Sequence, residues 1–201
     1  MGNYERKDSF HQRAKREGFR SRAAYKLAEI QKSRKLLCRG DRVVDLGCWP
    51  GGWLQVAARA VGPSGRVVGV DVALIEPALK NENVVALCAD LTDAAVPARV
   101  LDELGGRANV VLSDAAPKLS GIRPADRVRE QELLETIEAL LPVLLLPGGG
   151  LLLKVLDGPE AQVVERRIGR GFRETRVLRP AATRKRSSEH YLLARGFRES
   201  E

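Results

Sequence analysis

Aromatic side chains are sparse in this 201-residue sequence, at 4% of the chain. A core built without them must be filled by Leu, Val and Ala. With 44% hydrophobic residues there is enough apolar surface to expect a folded chain rather than a disordered one. Cysteine is scarce as well. Cys38, Cys48 and Cys88 are odd in number and lack metal-like spacing, which predicts no metal centre, no disulfide framework and a reduced, cytoplasmic compartment. A long hydrophobic run is missing. The longest, 140–153, is interrupted by Pro142, Pro147 and three glycines and is too short to span a bilayer. No apolar stretch follows the basic start, so neither a signal peptide nor a membrane partner is expected. Repeats are absent too, and the length suits one domain, expected as a monomer.

Charge is plentiful but unevenly placed. Residues 1–40 hold 12 Lys/Arg against 4 Asp/Glu, and residues 166–198 hold 11 against 2. The stretch between them, 41–165, holds 11 against 18. Two basic ends thus flank a mildly acidic body. If both ends fold onto one face they form a footprint for a polyanion such as RNA; otherwise they serve solubility alone. Residues 1–20 are expected to be a basic N-terminal tail, loosely docked, and residues 21–201 a single domain.

Ser21 is placed as an N-cap for a helix in which Ala23, Leu27 and Ile30 recur at helical spacing, with Arg22 and Lys26 on a neighbouring face. Strands are predicted at 43–46, 66–70, 84–88, 109–113 and 151–155, with closing strands at 173–178 and 191–194. A helix over 51–60 follows the first strand. Before the fifth strand comes an amphipathic helix with Leu133, Ile137, Leu140, Leu141 and Leu144 inward and Glu130, Glu135 and Glu138 outward. Strands alternating with helices imply an α/β fold, a mainly parallel sheet with helices on both faces. Ligands in such sheets bind at the carboxyl ends of the strands near the topological switch point.

At that place in the sequence stands Asp45-Leu46-Gly47-Cys48-Trp49-Pro50-Gly51-Gly52-Trp53, between the first strand and the first helix. A glycine loop alone suits a dinucleotide, another ligand or a plain turn. Its companions narrow the choice. Asp71 ends the second strand, where a carboxylate accepts from adenosine ribose hydroxyls, Asp90 follows the third and Asp114 the fourth. Each is also a permissible turn residue, the reading preferred for Asp93. The spacing Gly47-x-x-x-Gly51-Gly52 departs from the G-x-G-x-x-G of pyrophosphate binders. Preceded by Asp45, it looks like the D-x-G-x-x-x-G of Rossmann-like methyltransferases. An acid-rich pocket also suits a cationic sulfonium better than a pyrophosphate.

Ser21-Arg22-Ala23-Ala24-Tyr25-Lys26-Leu27, the glycine loop, Ser113-Asp114-Ala115-Ala116-Pro117, Lys154-Val155 and Arg186-Ser187-Ser188-Glu189-His190-Tyr191 occur in that order over residues 18–196. Together they closely resemble the FtsJ/RrmJ family, the large-subunit ribosomal RNA uridine 2′-O-methyltransferases. The resemblance implies a Rossmann-like S-adenosylmethionine-dependent methyltransferase fold and a catalytic tetrad of Lys26, Asp114, Lys154 and Glu189. It further implies S-adenosyl-L-methionine held by Gly51, Trp53, Asp71, Asp90 and Asp114, and 23S rRNA of the large ribosomal subunit as partner. Two features depart from the family pattern: Cys48-Trp49 replaces a pair of small residues, and Asp71-Val72-Ala73-Leu74 lacks a proline.

Attack of a ribose oxygen on a sulfonium methyl needs in-line positioning and a destination for the hydroxyl proton. A free lysine, with a pKa of about 10.4, is almost wholly charged at neutral pH. A lysine that accepts a proton therefore needs burial or a second cation, the place read for Lys154 with Lys26 beside it. Asp114 and Glu189 would orient the amines. Of the remaining residues, His11 reads as solvated, His190 as pointing to the face opposite Glu189, and Tyr191 as either core or base-stacking. Arg184-Lys185-Arg186 reads as a phosphate contact. Alternatives are a nicotinamide-dependent oxidoreductase, whose loop spacing does not match, a 2′-O-methyltransferase of tRNA or cap, and a non-catalytic RNA-binding assembly factor.

Overall fold

The computed structural model describes residues 9–184 and 187–199. Five parallel strands form most of a seven-stranded sheet: β1 (Arg42–Leu46), β2 (Arg66–Asp71), β3 (Val84–Cys88), β4 (Ala108–Ser113) and β5 (Leu145–Leu156). The last two, β6 (Phe172–Leu178) and β7 (Glu189–Phe197), close it, with β7 antiparallel to both β5 and β6. The order is β3-β2-β1-β4-β5-β7-β6. The chain runs outward from β1 to β3 and then returns to β4 on the other side, so the switch point lies between the carboxyl ends of β1 and β4.

The expected α/β architecture, with helices on both faces, is what the chain adopts. On one face, α2 (Ala23–Arg34) and α3 (Gly52–Val61) bury Leu27, Ile30, Leu54 and Val61 against Val43, Val67, Leu112 and Leu152. On the other, α4 (Val96–Leu104), α5 (Arg123–Leu144) and α6 (Pro159–Arg170) bury Val100, Leu134, Ile137 and Val164 against Val44, Val68, Val111 and Leu153. Covered on both sides, β1, β2 and β4 read as near-continuous apolar runs. The edge strand β6 instead exposes Arg173, Glu174 and Arg176, charges that discourage pairing with another chain. Among the described residues, Tyr191 is the only aromatic of the largest fully buried side chains, so aliphatic residues do fill the core. Among the described residues, no helix is long and apolar enough to cross a membrane.

Several local readings change. Ser21 does not cap α2: Arg22 occupies the cap position, no side chain bonds there, and the buried Ser21 hydroxyl lacks a hydrogen-bond partner. Residues 9–16 of the presumed tail form a helix, α1 (Ser9–Arg16), with Ala14 buried. Behind it the Arg20 amide donates to Gln55 Oε1 (2.9 Å) and Gln55 Nε2 donates to the Gly18 carbonyl (2.9 Å), tying the segment to α3. Helix α5 passes through Pro142 to Leu144, where the exposed proline ring leaves only one carbonyl unpaired near the helix end. Glu130 turns inward instead of outward, because its Oε1 accepts the Leu156 amide (2.9 Å) where β5 ends. Periodicity placed Leu133 on the inner face, but Leu134 is the one fully buried. Helices α4 and α6 had no assignment from sequence.

His190 faces away from Glu189, as strand alternation requires. It is buried beneath α6, with Nε2 3.0 Å from Glu165 Oε1. Asp157 Oδ1 lies 3.0 Å from Nδ1, but off the line a hydrogen bond needs. The Glu165 hydrogen bond, aided by the charges of Glu165 and Asp157 and opposed by burial, raises the imidazolium pKa. A raised folded pKa stabilises the fold fully below the unfolded value of about 6.5, and that contribution is lost as pH climbs through the folded value. The stability difference between the parent and His190→Gln, measured by urea unfolding, should therefore be larger at pH 6 than at pH 9. An equal difference at both would show that the imidazole titrates alike folded and unfolded.

Candidate active site

Three strands and one helix deliver the predicted side chains. Lys154 lies two residues from the end of β5, Asp114 directly follows β4, Glu189 opens β7 and Lys26 sits in the first turn of α2. Register places Lys154 opposite Tyr191 and Leu156 opposite Glu189, so Lys154, Tyr191 and Glu189 share one face of the sheet. The four predicted residues do converge. Lys26 Nζ is 2.6 Å from Glu189 Oε1 and 3.8 Å from Asp114 Oδ1, while Lys154 Nζ is 3.4 Å from Asp114 Oδ1. Lys154 also donates to the Asp114 main-chain oxygen. Both lysines are more than nine-tenths buried, which a protein tolerates only when paired carboxylates and hydrogen bonds compensate for lost water. Burial opposes ionisation of Glu189, but the hydrogen bond and charge of Lys26, with the charge of Lys154, outweigh it and hold the carboxyl below the ordinary range.

Tyr191 is a fifth member. Its hydroxyl donates to Asp114 Oδ1 (2.6 Å) and accepts from Lys26 Nζ (2.9 Å). The side chain is fully buried, with its ring 5.9 Å from that of Trp53, so the core reading is correct and base stacking is excluded. Alternation carried the signal: Tyr191 is two residues beyond Glu189 in the same strand.

Beside this cluster a groove of about 550 Å³ runs along the carboxyl ends of β1, β2 and β4. Asp71, Asp90 and Asp114 line it as predicted, with Gly47, Trp49, Val72 and Leu91. Gly47 is needed twice over: its φ is 78°, and a Cβ there would collide with Ala115. Asp71 holds the loop by accepting the amides of Trp49 (2.8 Å) and Ala73 (2.9 Å). Asp90 accepts the Thr92 amide (2.9 Å) and hydroxyl (2.8 Å), bonds that lower its pKa. Asp93 is the turn residue expected, accepting the Ala95 amide (2.9 Å).

Two predicted cofactor residues lie elsewhere. Trp53 is buried, donating its indole N–H to the Ala23 carbonyl (2.8 Å), so it clamps α2 to α3 rather than lining the groove. Gly51 faces the side chains of Arg20, Ile75 and Leu79. Its φ of 101° lets the loop turn into α3. Trp49, the departure from the family pattern, is 59% exposed on the groove's rim.

Asp45, which the sequence offered only as part of the loop signature, is buried with neither carboxylate oxygen hydrogen-bonded. Desolvation, with the charges of Asp114 and Asp71, pushes its pKa well above the usual range. Asp45 does not itself line the groove; Asp71, Asp90 and Asp114 are the acids that do so at the strand ends, and their charge favours a positively charged ligand.

The FtsJ-like methyltransferase family profile covers residues 19–197. This chain belongs to the FtsJ-like methyltransferase family. It is 42% identical to the ribosomal RNA large subunit methyltransferase E of Methanothermobacter thermautotrophicus, over 98% of this chain and 92% of that relative. The Pseudomonas aeruginosa protein of the same name is 40% identical over 95% of this chain and 91% of its own length. A Plasmodium falciparum protein, whose crystal structure is titled as a candidate ribosomal RNA methyltransferase, shares the fold. Its TM-score is 0.76 at 24% identity, over 89% of this chain and 98% of that one. The alternative of a nicotinamide oxidoreductase is thereby set aside: this FtsJ-like chain is a methyltransferase, an enzyme.

The two basic ends meet at its tetrad. Arg22 donates to the Ala182 carbonyl, the Ala181 amide donates to Glu29 (2.9 Å to Oε2), and Lys26 pairs with Glu189. Lys185 and Arg186, read as phosphate contacts, lie outside the described residues, as does the side chain of His11.

Proposed function

We propose that this enzyme methylates the 2′-hydroxyl of a ribose in RNA, a uridine of 23S rRNA in the large ribosomal subunit, using S-adenosylmethionine, and that it works in the cytoplasm as a monomer. The observation that carries this reading is the buried cluster of Lys26, Asp114, Lys154, Glu189 and Tyr191, set against an acid-lined groove at the switch point. The names of the relatives support the choice of RNA.

S-adenosylmethionine would supply an electrophilic methyl whose departing thioether is neutral and needs no proton. Asp71 and Asp90 would hold the adenosine end, with Asp114 offering a carboxylate to its cationic end. Lys154 Nζ, in its neutral form, would take the proton from the ribose hydroxyl. Lys26 would steady the developing charge on that oxygen. Glu189 and Tyr191 hold Lys26, and Asp114 holds Lys154 through its main-chain oxygen. Gly51 and Trp53 would act on the cofactor only by shaping the loop.

A single-turnover assay with large ribosomal subunits and with free transcript, followed by mapping of the modified nucleotide, tests the proposal. Incorporation on a base, or none at all, overturns it; a non-catalytic RNA-binding protein gives none. In the same preparation Asp71→Ala should weaken S-adenosylmethionine binding at least tenfold by calorimetry. Loss of a charge-assisted acceptor costs about 1.5–3 kcal/mol, and the Trp49 amide is released with it. Unchanged affinity would place this strand end outside the cofactor site.

RNA binding should depend on the basic ends. Removing residues 1–20 would be a poor test, because Arg20 donates to the carbonyls of Pro50 (3.3 Å) and Pro77 and so supports the glycine loop. Neutralising exposed Lys15 and Arg16 together with Arg184 leaves the loop alone. The triple variant should bind RNA more weakly and with a shallower dependence of log K on log salt, since fewer counterions are released. Identical salt titrations for parent and variant would place the footprint elsewhere.

A further inference from the structure

The sequence holds two tryptophans, and the fold treats them oppositely. Trp53 is 3% exposed, its indole N–H taken by the Ala23 carbonyl and its ring set against Tyr191. Trp49 is 59% exposed. Among the described residues, nothing hydrogen-bonds its indole and no ring or cation packs on it. An indole left so open forgoes the burial that tryptophan usually finds in a fold.

The loop backbone fixes where that side chain stands. The amides of Gly47 (2.8 Å) and Cys48 (3.2 Å) donate to the Val70 carbonyl, and the Gly51 amide donates to the Cys48 carbonyl (2.7 Å). The Trp49 amide donates to Asp71 Oδ2 (2.8 Å). Cys48 is buried against Gly69 of β2, where a Cβ would come within 2.6 Å of the Cys48 sulfur. The bare Gly69 thus makes room for Cys48 inside the loop and leaves Trp49 on the groove's rim. Asp71, Asp114 and Val72, itself 68% exposed, line the same groove. Asp71 is the carboxylate read for the cofactor ribose, and in S-adenosylmethionine the sulfonium is joined to that ribose through a single carbon.

An aromatic face attracts a cation, tryptophan most strongly, and carboxylates nearby favour the same charge. We propose that Trp49 is a specificity residue of the cofactor groove, its indole face covering the sulfonium and favouring the charged donor over the spent, neutral thioether. The inference rests on the reading of S-adenosylmethionine as methyl donor. When the methyl passes to the ribose oxygen, the electron pair of the broken C–S bond stays on sulfur, and the hydroxyl proton goes to Lys154. The sulfur is then neutral and its attraction to the indole ends, so the contact favours exchange of spent cofactor for fresh. A small residue, as in the family pattern at this position, could not make it.

Calorimetry with three ligands tests the assignment: S-adenosylmethionine, its neutral product S-adenosylhomocysteine, and sinefungin, which carries an ammonium group in place of the methylsulfonium. Trp49→Leu keeps apolar surface and removes the π face. The contact to Asp71 is made by the main chain and survives the change, so the melting temperature should hold. The variant should bind S-adenosylmethionine and sinefungin at least about fivefold more weakly, with S-adenosylhomocysteine affinity changed by less than about twofold. Trp49→Phe keeps a ring with a weaker π face, so it should fall between parent and Trp49→Leu, and it carries the comparison if the leucine variant melts early. KM for RNA should stay at the parent value. Equal losses for all three ligands would make Trp49 an apolar cover without charge preference. Unchanged affinities would make it a bystander, and unchanged affinities with a raised KM for RNA a platform for a base. Each of these results overturns the proposal alone. Failure of the parent to bind S-adenosylmethionine overturns the cofactor reading, and the assignment of Trp49 falls with it.

Discussion

Replacing Lys154 with methionine is expected to cut single-turnover methyl transfer by about 10³-fold, within the range supplied by general acid–base groups, while S-adenosylmethionine affinity changes no more than a few-fold. The amine is the only group of the tetrad that arrives from β5, and it reaches Asp114 through both the main-chain oxygen and Oδ1. Methionine keeps the length of the stem inside the apolar end of β5 and removes the proton acceptor. Asp114 stays satisfied by Tyr191 and Lys26, so the fold should persist. The cofactor groove is lined by other residues, which is why its affinity should hold. Near-parental turnover by Lys154→Met would remove Lys154 from the proton path.

Tyr191→Phe should lower turnover by about 10–100-fold without loss of the fold. The hydroxyl joins Lys26 to Asp114, and losing hydrogen bonds to charged groups costs about 1.5–3 kcal/mol, where 1.4 kcal/mol is a factor of ten. Phenylalanine fills the same volume, so packing against Trp53 is retained. Because Tyr191 acts through its neighbours, the loss should fall on kcat and leave KM for RNA unchanged. An effect on KM alone, or a collapse in melting temperature, would show that the hydroxyl serves binding or packing instead of the reaction.

Most of the sheet could be read from local pattern. Val43–Leu46 and Leu151–Val155 are short, mostly apolar runs rich in valine or leucine, the pattern of strands covered on both faces. Helices α4 and α6 were harder, because Val96, Val100 and Leu104, or Ala161, Val164 and Ile168, are short apolar series amid charge. Glu130 misled because its polarity suggests solvent, whereas a single amide at the end of β5 draws it inside. Trp53, named for the cofactor by the family resemblance alone, has its indole N–H taken by a carbonyl of α2, a contact between distant segments that no local pattern shows.

What the sequence determined by itself is roughly where the strands end and which acids stand there, since residue type and the two- and four-residue periods are properties of the local chain. Lys26, Asp114, Lys154 and Glu189 were singled out by the family resemblance of the motifs that hold them. Only the tertiary structure decided how those residues meet. Tyr191 lies between Lys26 and Asp114 because β7 pairs antiparallel with β5 in one register, placing it opposite Lys154. Asp45 is left buried with neither carboxylate oxygen hydrogen-bonded. Distances between residues remote in sequence, and the loss of water around them, arise only from packing, and they determine which carboxylates are paired and which are left for a ligand.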